Sequence, residues 1–337
     1  MAPRSSTGEN GKEPRITHPP RLRYIVVILM FLVLGLYSVE ANDAQPIPQW
    51  GHLDGFVHLR AYQTAYPDRV EAVAFRDGDW TIRVNGHWFY WANGRLLPEK
   101  ARSAWERFAP VRLYRYETGP YRIPSVAASS EELLTQWIDL PPEALPRRHN
   151  GFLGVLYGAL SAGQARKIMV NVNLFGFSVR VHPIMVEPLA RVERDTRAIL
   201  GESPEVRSFL RSLGTVDGQL WRYIAGTRSL SYHSYGTAID LLPVRYNGQF
   251  SYWRWAAEAG ITKWWDLRLD QRWMPPMDLV EIFERHGFVW GGRWLFFDAI
   301  HMEYRPEIHA VNALIRTQTS PVGDSHRRSL PEHRLAQ

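Results

Sequence analysis

The segment SLSYHSYGTAIDLLP, residues 229–243, sets His233 seven residues ahead of Asp240, with Gly236 between them. The chain has no cysteine, so a thiolate nucleophile, a disulfide framework and a Zn–Cys site are all excluded. Histidine, aspartate and glutamate remain as metal ligands. A catalytic zinc usually takes three protein ligands and keeps a fourth position for water, so His233 and Asp240 make an incomplete set. The third ligand is most naturally sought in a segment that pairs with the apolar strand expected over Thr237 to Leu242. FFDAIHMEY, residues 296–304, offers one histidine, His301, with Asp298 three residues before it and Glu303 two after.

The elements that carry these residues must aim them at one point. On a strand side chains alternate, so Ala238, Asp240 and Leu242 share one face while Ile239 and Leu241 share the other. Asp240 then points into a site while its neighbours pack. His233 lies an odd number of residues away and needs a bend, which Gly236 can provide. In the second segment His301 and Glu303 share a face by the same rule, whereas Asp298 reaches that side only if the strand bends or ends near Ala299. Parity therefore leaves Glu303 as a rival to Asp298 for the role of general base.

Taken together, S-x-H-x-x-G-x-A-x-D at 231–240 and D-x-x-H at 298–301 resemble the M15 zinc peptidases. The likeness is to the VanY-like branch, within the superfamily of D-Ala-D-Ala carboxypeptidases and L-alanyl-D-glutamate endopeptidases. WRYIAGTRSLSYHSYGTAIDL, YWRW and EIFERHGFVWGGRWLFFDAIHMEYRPEI resemble that branch in order and spacing, over roughly 221–308. The resemblance implies zinc held by His233, Asp240 and His301, a general base at Asp298, and an arginine upstream of the first ligand, Arg222, that meets substrate carboxylate or the developing oxyanion. Ser231 matches the first motif position and reads as a hydrogen-bonding support. The implied fold is α+β: a small, mostly antiparallel sheet with flanking helices and a zinc cleft, preceded by a small β-rich accessory region. The implied reaction is hydrolysis of peptidoglycan stem peptides, by either a carboxypeptidase or an endopeptidase. A non-catalytic zinc-containing module that binds cell wall or protein is the reading from another class.

Other residues draw plainer readings. Trp253, Trp255, Trp264 and Trp290 are expected in the core or the cleft wall, Arg228 on an exposed loop, and His286 in the last turn of a helix, where capping suffices. His87, His149 and His182 have no acidic partner at useful spacing. HExxH, GxSxG, Walker and dinucleotide motifs are absent from the sequence.

At 337 residues and 45% hydrophobic content the chain is long enough for one large or two modest folded domains. Residues 1–23 form a basic, Pro- and Ser-containing tail expected to stay cytosolic. Residues 24–41 hold the apolar run YIVVILMFLVLGLYSV, expected as a signal peptide or membrane anchor that sends the rest across the membrane. The protein is thus expected in the periplasm or at the outer face of the inner membrane, attached there if the segment is uncleaved. Residues 45–150 form the accessory region, with a three-stranded meander over 72–98 punctuated by Asp77-Gly78 and Asn85-Gly86. Residues 118–130 and 139–150 read as linker-like.

The peptidase domain is expected over 180–316. Strands around 170–174 and 177–181, two punctuated helices, and a third helix, MDLVEIFERHG, lead to a Gly-Gly turn between two aromatic strands. Residues 317–337 are expected to be a disordered tail. The net charge of +6 suits an anionic wall polymer. Its scattered Arg and Lys, with no nucleic-acid-binding motif, argue against nucleic acid.

Overall fold

The computed structural model describes residues 53–319 apart from 112 and 139. The expected tail, export segment and most of the C-terminal tail lie outside the described residues. Among the described residues no helix is long and apolar enough to cross a membrane.

The strands run β1 Val70–Arg76, β2 Asp79–Val84, β3 His87–Tyr90, β4 Phe108–Ala109, β5 Arg147–Arg148, β6 Val170–Leu174, β7 Phe177–Val181, β8 Leu213–Asp217, β9 Ala238–Pro243, β10 Phe288–Trp290 and β11 His301–Tyr304. The first three form the expected antiparallel meander. Asp77 and Asn85 take positive φ ahead of their glycines, as two-residue hairpin turns require. A four-stranded antiparallel sheet in the order β10-β11-β9-β8 forms the centre of the second half. With helices and small antiparallel sheets together, the fold is α+β as expected.

The two faces of the central sheet do different work. Ile239, Leu241, Met302, Phe288, Trp290 and Val216 turn to one side and pack with helices Val186–Ile199, Pro204–Ser212 and Met277–Arg285. Both punctuation signals of the second helix hold: Ser203 accepts a hydrogen bond from Val206 N–H, and Pro204 opens the helix. Ala238 and Val289 turn to the other side. There they share a cluster with Leu59 and Tyr62 of helix Leu53–Ala65, with Phe152, and with Ile308 and Val311 of helix Pro306–Thr319. The accessory region and the sheet therefore share one core on the face that carries Asp240. Leu242 departs from the expected alternation. Beyond the irregular register between Leu213 and Thr215 it packs on the helix side.

Two local expectations differ. The Gly-Gly pair is not a tight turn between long strands: Gly291–Arg293 is a single 3-10 turn, and β11 begins only at His301. The linker-like stretch 118–130 is held by Tyr121 within it and by Tyr116 just ahead of it. Tyr116 Oη donates to Glu284 at 2.5 Å and accepts from Trp290 N–H at 2.8 Å, and Tyr121 Oη donates to the Gly292 carbonyl at 3.0 Å.

Candidate metal centre

β9 and β11 are adjacent, and their register sets His301 directly opposite Asp240 and Glu303 opposite Ala238. His301 and Asp240 thus leave the same face of the sheet as a cross-strand pair. His233 arrives from a 3-10 turn, Tyr232–Tyr235, that ends at Gly236 with φ of 69°. A side chain at Gly236 would meet Met169 Sδ at 2.3 Å and His182 N at 2.8 Å, so glycine is needed for both its dihedral and its close packing. Ser231 caps this turn, its Oγ accepting from His233 N–H at 3.3 Å. Ser234 Oγ bonds both backbone groups of Arg222, at 3.0 and 2.8 Å, which ties the arginine to the ligand turn.

The three donor atoms converge. His233 Nε2 lies 3.2 Å from His301 Nδ1 and 3.2 Å from Asp240 Oδ1, and His301 Nδ1 lies 2.8 Å from Asp240 Oδ1. Ligands held at about 2.0 Å in a tetrahedron sit about 3.3 Å apart, so this spacing matches a zinc-sized ion. The far nitrogen of each imidazole already has an acceptor: His233 Nδ1 the Gly218 carbonyl at 2.6 Å, His301 Nε2 the Glu303 Oε1 at 3.1 Å. Each ring is thereby held in the tautomer that turns a lone pair toward the shared point. The donor set fits a divalent cation of the zinc type.

The electrostatics follow from crowding charge in a dry place. Burial alone would lower the His301 pKa, but its hydrogen bonds to Asp240 and Glu303 outweigh this and raise it well above the ordinary value. Burial would raise Asp240, and the neighbouring His233 and His301 reverse that and lower it. Glu303 is likewise lowered against its burial by His301 and Arg305. Asp298 goes the other way. Burial, aided by the Asp240 and Glu303 charges and opposed by His301 and Arg222, pushes it up to about 7. Its Oδ1 is buried with no hydrogen-bond partner among the described residues.

Asp298 is freed from strand parity because residues 299 and 300 form a turn before β11. Its N–H donates to the Gly291 carbonyl at 3.0 Å, and a side chain at Gly291 would meet Asp298 O at 2.5 Å. The Gly-Gly pair thus serves close approach. Trp290 is fully buried and donates its indole N–H to the Ala299 carbonyl at 2.8 Å, so it braces this turn from beneath and does not face a ligand. Glu303 has one carboxylate oxygen on His301 and the other on Arg305 Nη1 at 3.0 Å. Arg222 reaches Asp240 Oδ2 at 3.9 Å with 41% of its side chain exposed. Arg228 bonds the carbonyls of Glu143 and Leu145. His286 pairs with Asp195 at 2.7 Å, a partner that spacing along the sequence does not reveal.

Residues 225–304 match a family model described as D-alanyl-D-alanine carboxypeptidase. This segment is similar to the M15 peptidases. The match contains His233, Asp240, Asp298, His301 and Glu303 and begins after Arg222. M15 peptidases are typically zinc enzymes, which agrees with the His-Asp-His group. Residues 58–112 match a second family model, described as a domain of unknown function (DUF8518). No curated protein and no solved structure matches the chain.

Sequence reasoning passed over Arg254, Tyr246 and Tyr252 and gave Trp255 only a place in the core or the cleft wall. Arg254 packs its guanidinium against Gly226, on the loop that follows Arg222, and faces the Tyr252 phenol. Its Nε is buried with no partner among the described residues. Tyr246 and Tyr252 both feel the Asp298 charge, and Trp255, in ring contact with both, is 42% exposed. The YWRW motif was the available signal, because it places Arg254 between two tryptophans.

Proposed function

We propose that this protein is an exported zinc peptidase that hydrolyses peptidoglycan stem peptides. The observation that carries the reading is the convergence of His233, Asp240 and His301 beside the half-buried Asp298, whose Oδ1 is buried without a partner among the described residues, within the segment that matches the peptidase family. When bound, zinc supplies Lewis-acid polarisation of the scissile carbonyl and lowers the pKa of water. Asp298, with a pKa near 7, is suited to take a proton from the attacking water on Oδ1 and return it to the departing amine. Arg222, held only loosely at 3.9 Å from Asp240 and 41% exposed, offsets charge that develops on the carbonyl oxygen. Glu303 is the weaker base because both its oxygens are engaged by His301 and Arg305. Export is supported by the basic tail and apolar run at 1–41.

The test is digestion of disaccharide pentapeptide and tetrapeptide by the purified protein with and without zinc, with the products weighed. Loss of terminal D-Ala marks a carboxypeptidase, and an internal cut marks an endopeptidase. Zinc bound at full occupancy with no turnover on any wall peptide would leave a binding module instead.

A further inference from the structure

Behind His301 runs an unbroken line of buried polar groups that ends in the accessory region. His301 Nε2 meets Glu303 Oε1 at 3.1 Å, and Glu303 Oε2 accepts from Arg305 Nη1 at 3.0 Å. Arg305 Nε then donates to Glu307 Oε1, and Glu307 Oε2 accepts from Tyr66 Oη at 2.8 Å. Tyr157 Oη lies 3.1 Å from Tyr66 Oη. Glu303, Arg305, Glu307, Tyr66 and Tyr157 are all buried. Tyr66 follows helix Leu53–Ala65 directly and lies inside the segment matched as a domain of unknown function.

Burying three charges is costly unless each is fully paired, and an apolar replacement of similar shape is often at least as stable. Stability is therefore a poor reason for this line to exist. Its geometry suggests a better one. The Glu303 carboxylate can hold the imidazole in one plane and one tautomer only if its own rotamer is fixed, and Arg305 fixes it. Arg305 lies over the Tyr232 ring, 4.4 Å from its centroid, next to the first ligand, His233. It is fixed in turn by Glu307, which relies on Tyr66. Ligand orientation at a metal is commonly set by such outer partners, whose loss costs about 10–100-fold in metal affinity.

We propose that Glu303, Arg305, Glu307 and Tyr66 are positioning residues for the His301 ligand, so that the segment around 58–112 is a structural part of the metal centre and not an independent appendage. This rests on the reading of His233, Asp240 and His301 as zinc ligands.

The helix that leads to Tyr66 supplies its own control. Tyr62 is equally buried, but its hydroxyl has no partner among the described residues. Tyr66→Phe and Tyr62→Phe thus remove the same atom from neighbouring turns, and only the first cuts the line. Zinc affinity of the full chain is measured by competition with a chromophoric chelator, and ligand geometry by the visible spectrum of the cobalt-substituted protein. Tyr66→Phe is expected to weaken zinc by about 3–10-fold, and Glu303→Gln by about 10–100-fold, with a shifted cobalt spectrum in both. Tyr62→Phe is expected to match the wild type. Should Tyr66→Phe fail to fold, Glu307→Gln is read in its place against the same expectation. Wild-type affinity and spectrum in Tyr66→Phe, or an equal loss in Tyr62→Phe, overturns the positioning role. Failure of the wild type to bind zinc at one equivalent overturns the metal reading itself, and the positioning role with it.

Discussion

Replacing Asp298 with asparagine separates three properties that a merely structural aspartate would keep together. Asparagine keeps the size of the side chain and removes both its charge and its ability to take a proton. As general base, Asp298 should contribute about 10²–10⁴ in rate. kcat/KM on a stem peptide should therefore fall by that factor while zinc affinity, set by His233, Asp240 and His301, stays within a few-fold. Stability should move in the opposite direction. A carboxyl whose pKa rises from 3.8 to about 7 on folding makes the folded chain bind more protons, so stability falls as pH rises through that window. At about 1.4 kcal/mol per pH unit the ceiling is about 4 kcal/mol above pH 7. Residual hydration of the half-buried residue brings a realistic figure to about 2–4 kcal/mol.

Urea unfolding of the metal-free protein at pH 5 and pH 8 reads this directly. The asparagine variant should exceed the wild type at pH 8 by about 2–4 kcal/mol and by clearly less at pH 5. Gaining stability while losing turnover is the signature of a strained active-site group. Activity within tenfold of the wild type would move the base elsewhere. A variant less stable than the wild type at pH 8 would mean that the carboxylate is well solvated or paired, and the reasoning about its environment would be refuted.

Gly236→Ala should destabilise the fold by at least about 2 kcal/mol, from the positive-φ penalty and the collision with His182 N, and should weaken zinc binding; chemical denaturation and chelator competition check both. His182 is buried between the Tyr157 carbonyl and Ile184 N–H, and burial, with help from Arg69, lowers its pKa to about 4. The folded chain then binds fewer protons than the unfolded one, and stability should drop by about 3 kcal/mol as pH falls from about 6.5 to about 4. His182→Asn, whose amide oxygen can still accept from Ile184 N–H, should flatten that slope in denaturation curves across the window; an unchanged slope would clear His182. Arg254→Ala should raise KM at least about tenfold on peptides with a free C-terminal carboxylate and spare amidated ones; equal losses on both would rule out carboxylate recognition by Arg254.

The candidate ligands were legible in the sequence because residue type, strand parity and the resemblance of 231–240 and 298–301 to the M15 pattern pointed to the same side chains. The expected pairing of their segments appears as the cross-strand pair His301–Asp240. What stayed hidden was supplied by distant or backbone groups. The Gly218 carbonyl behind His233 leaves no mark on composition. Gly291-Gly292 carried a turn signal that was locally sound, yet a buried Trp290 ring and the Asp298 backbone both need that space, and a loop of ten residues results. The Pro- and Ser-containing stretch 118–130 read as linker-like because Tyr121 within it and Tyr116 just ahead of it find their acceptors about 170 residues away. One available signal went unused: Glu303, Arg305 and Glu307 recur with the period of the strand that leads into them, and buried charges so arranged must have partners.

The division of the central sheet explains why the accessory region cannot be indifferent to the chemistry. One face packs apolar side chains against three helices. The other carries His301, Asp240 and Glu303 beside Ala238 and Val289. Left bare, that face would let water hydrate Glu303 and compete for its hydrogen bonds, and the imidazole would lose its fixed plane. A cover made only of apolar side chains would strand the second carboxylate oxygen of Glu303 and the guanidinium of Arg305 without partners. The cover has to be dry at its edges and polar at one point, and helix Leu53–Ala65 with Tyr66 directly after it meets both demands, with Leu59 and Tyr62 in the shared core and one hydroxyl on Glu307. Placing the ligand on the covered face thus constrains the sequence of the covering segment, even though none of its residues touches the metal-binding atoms.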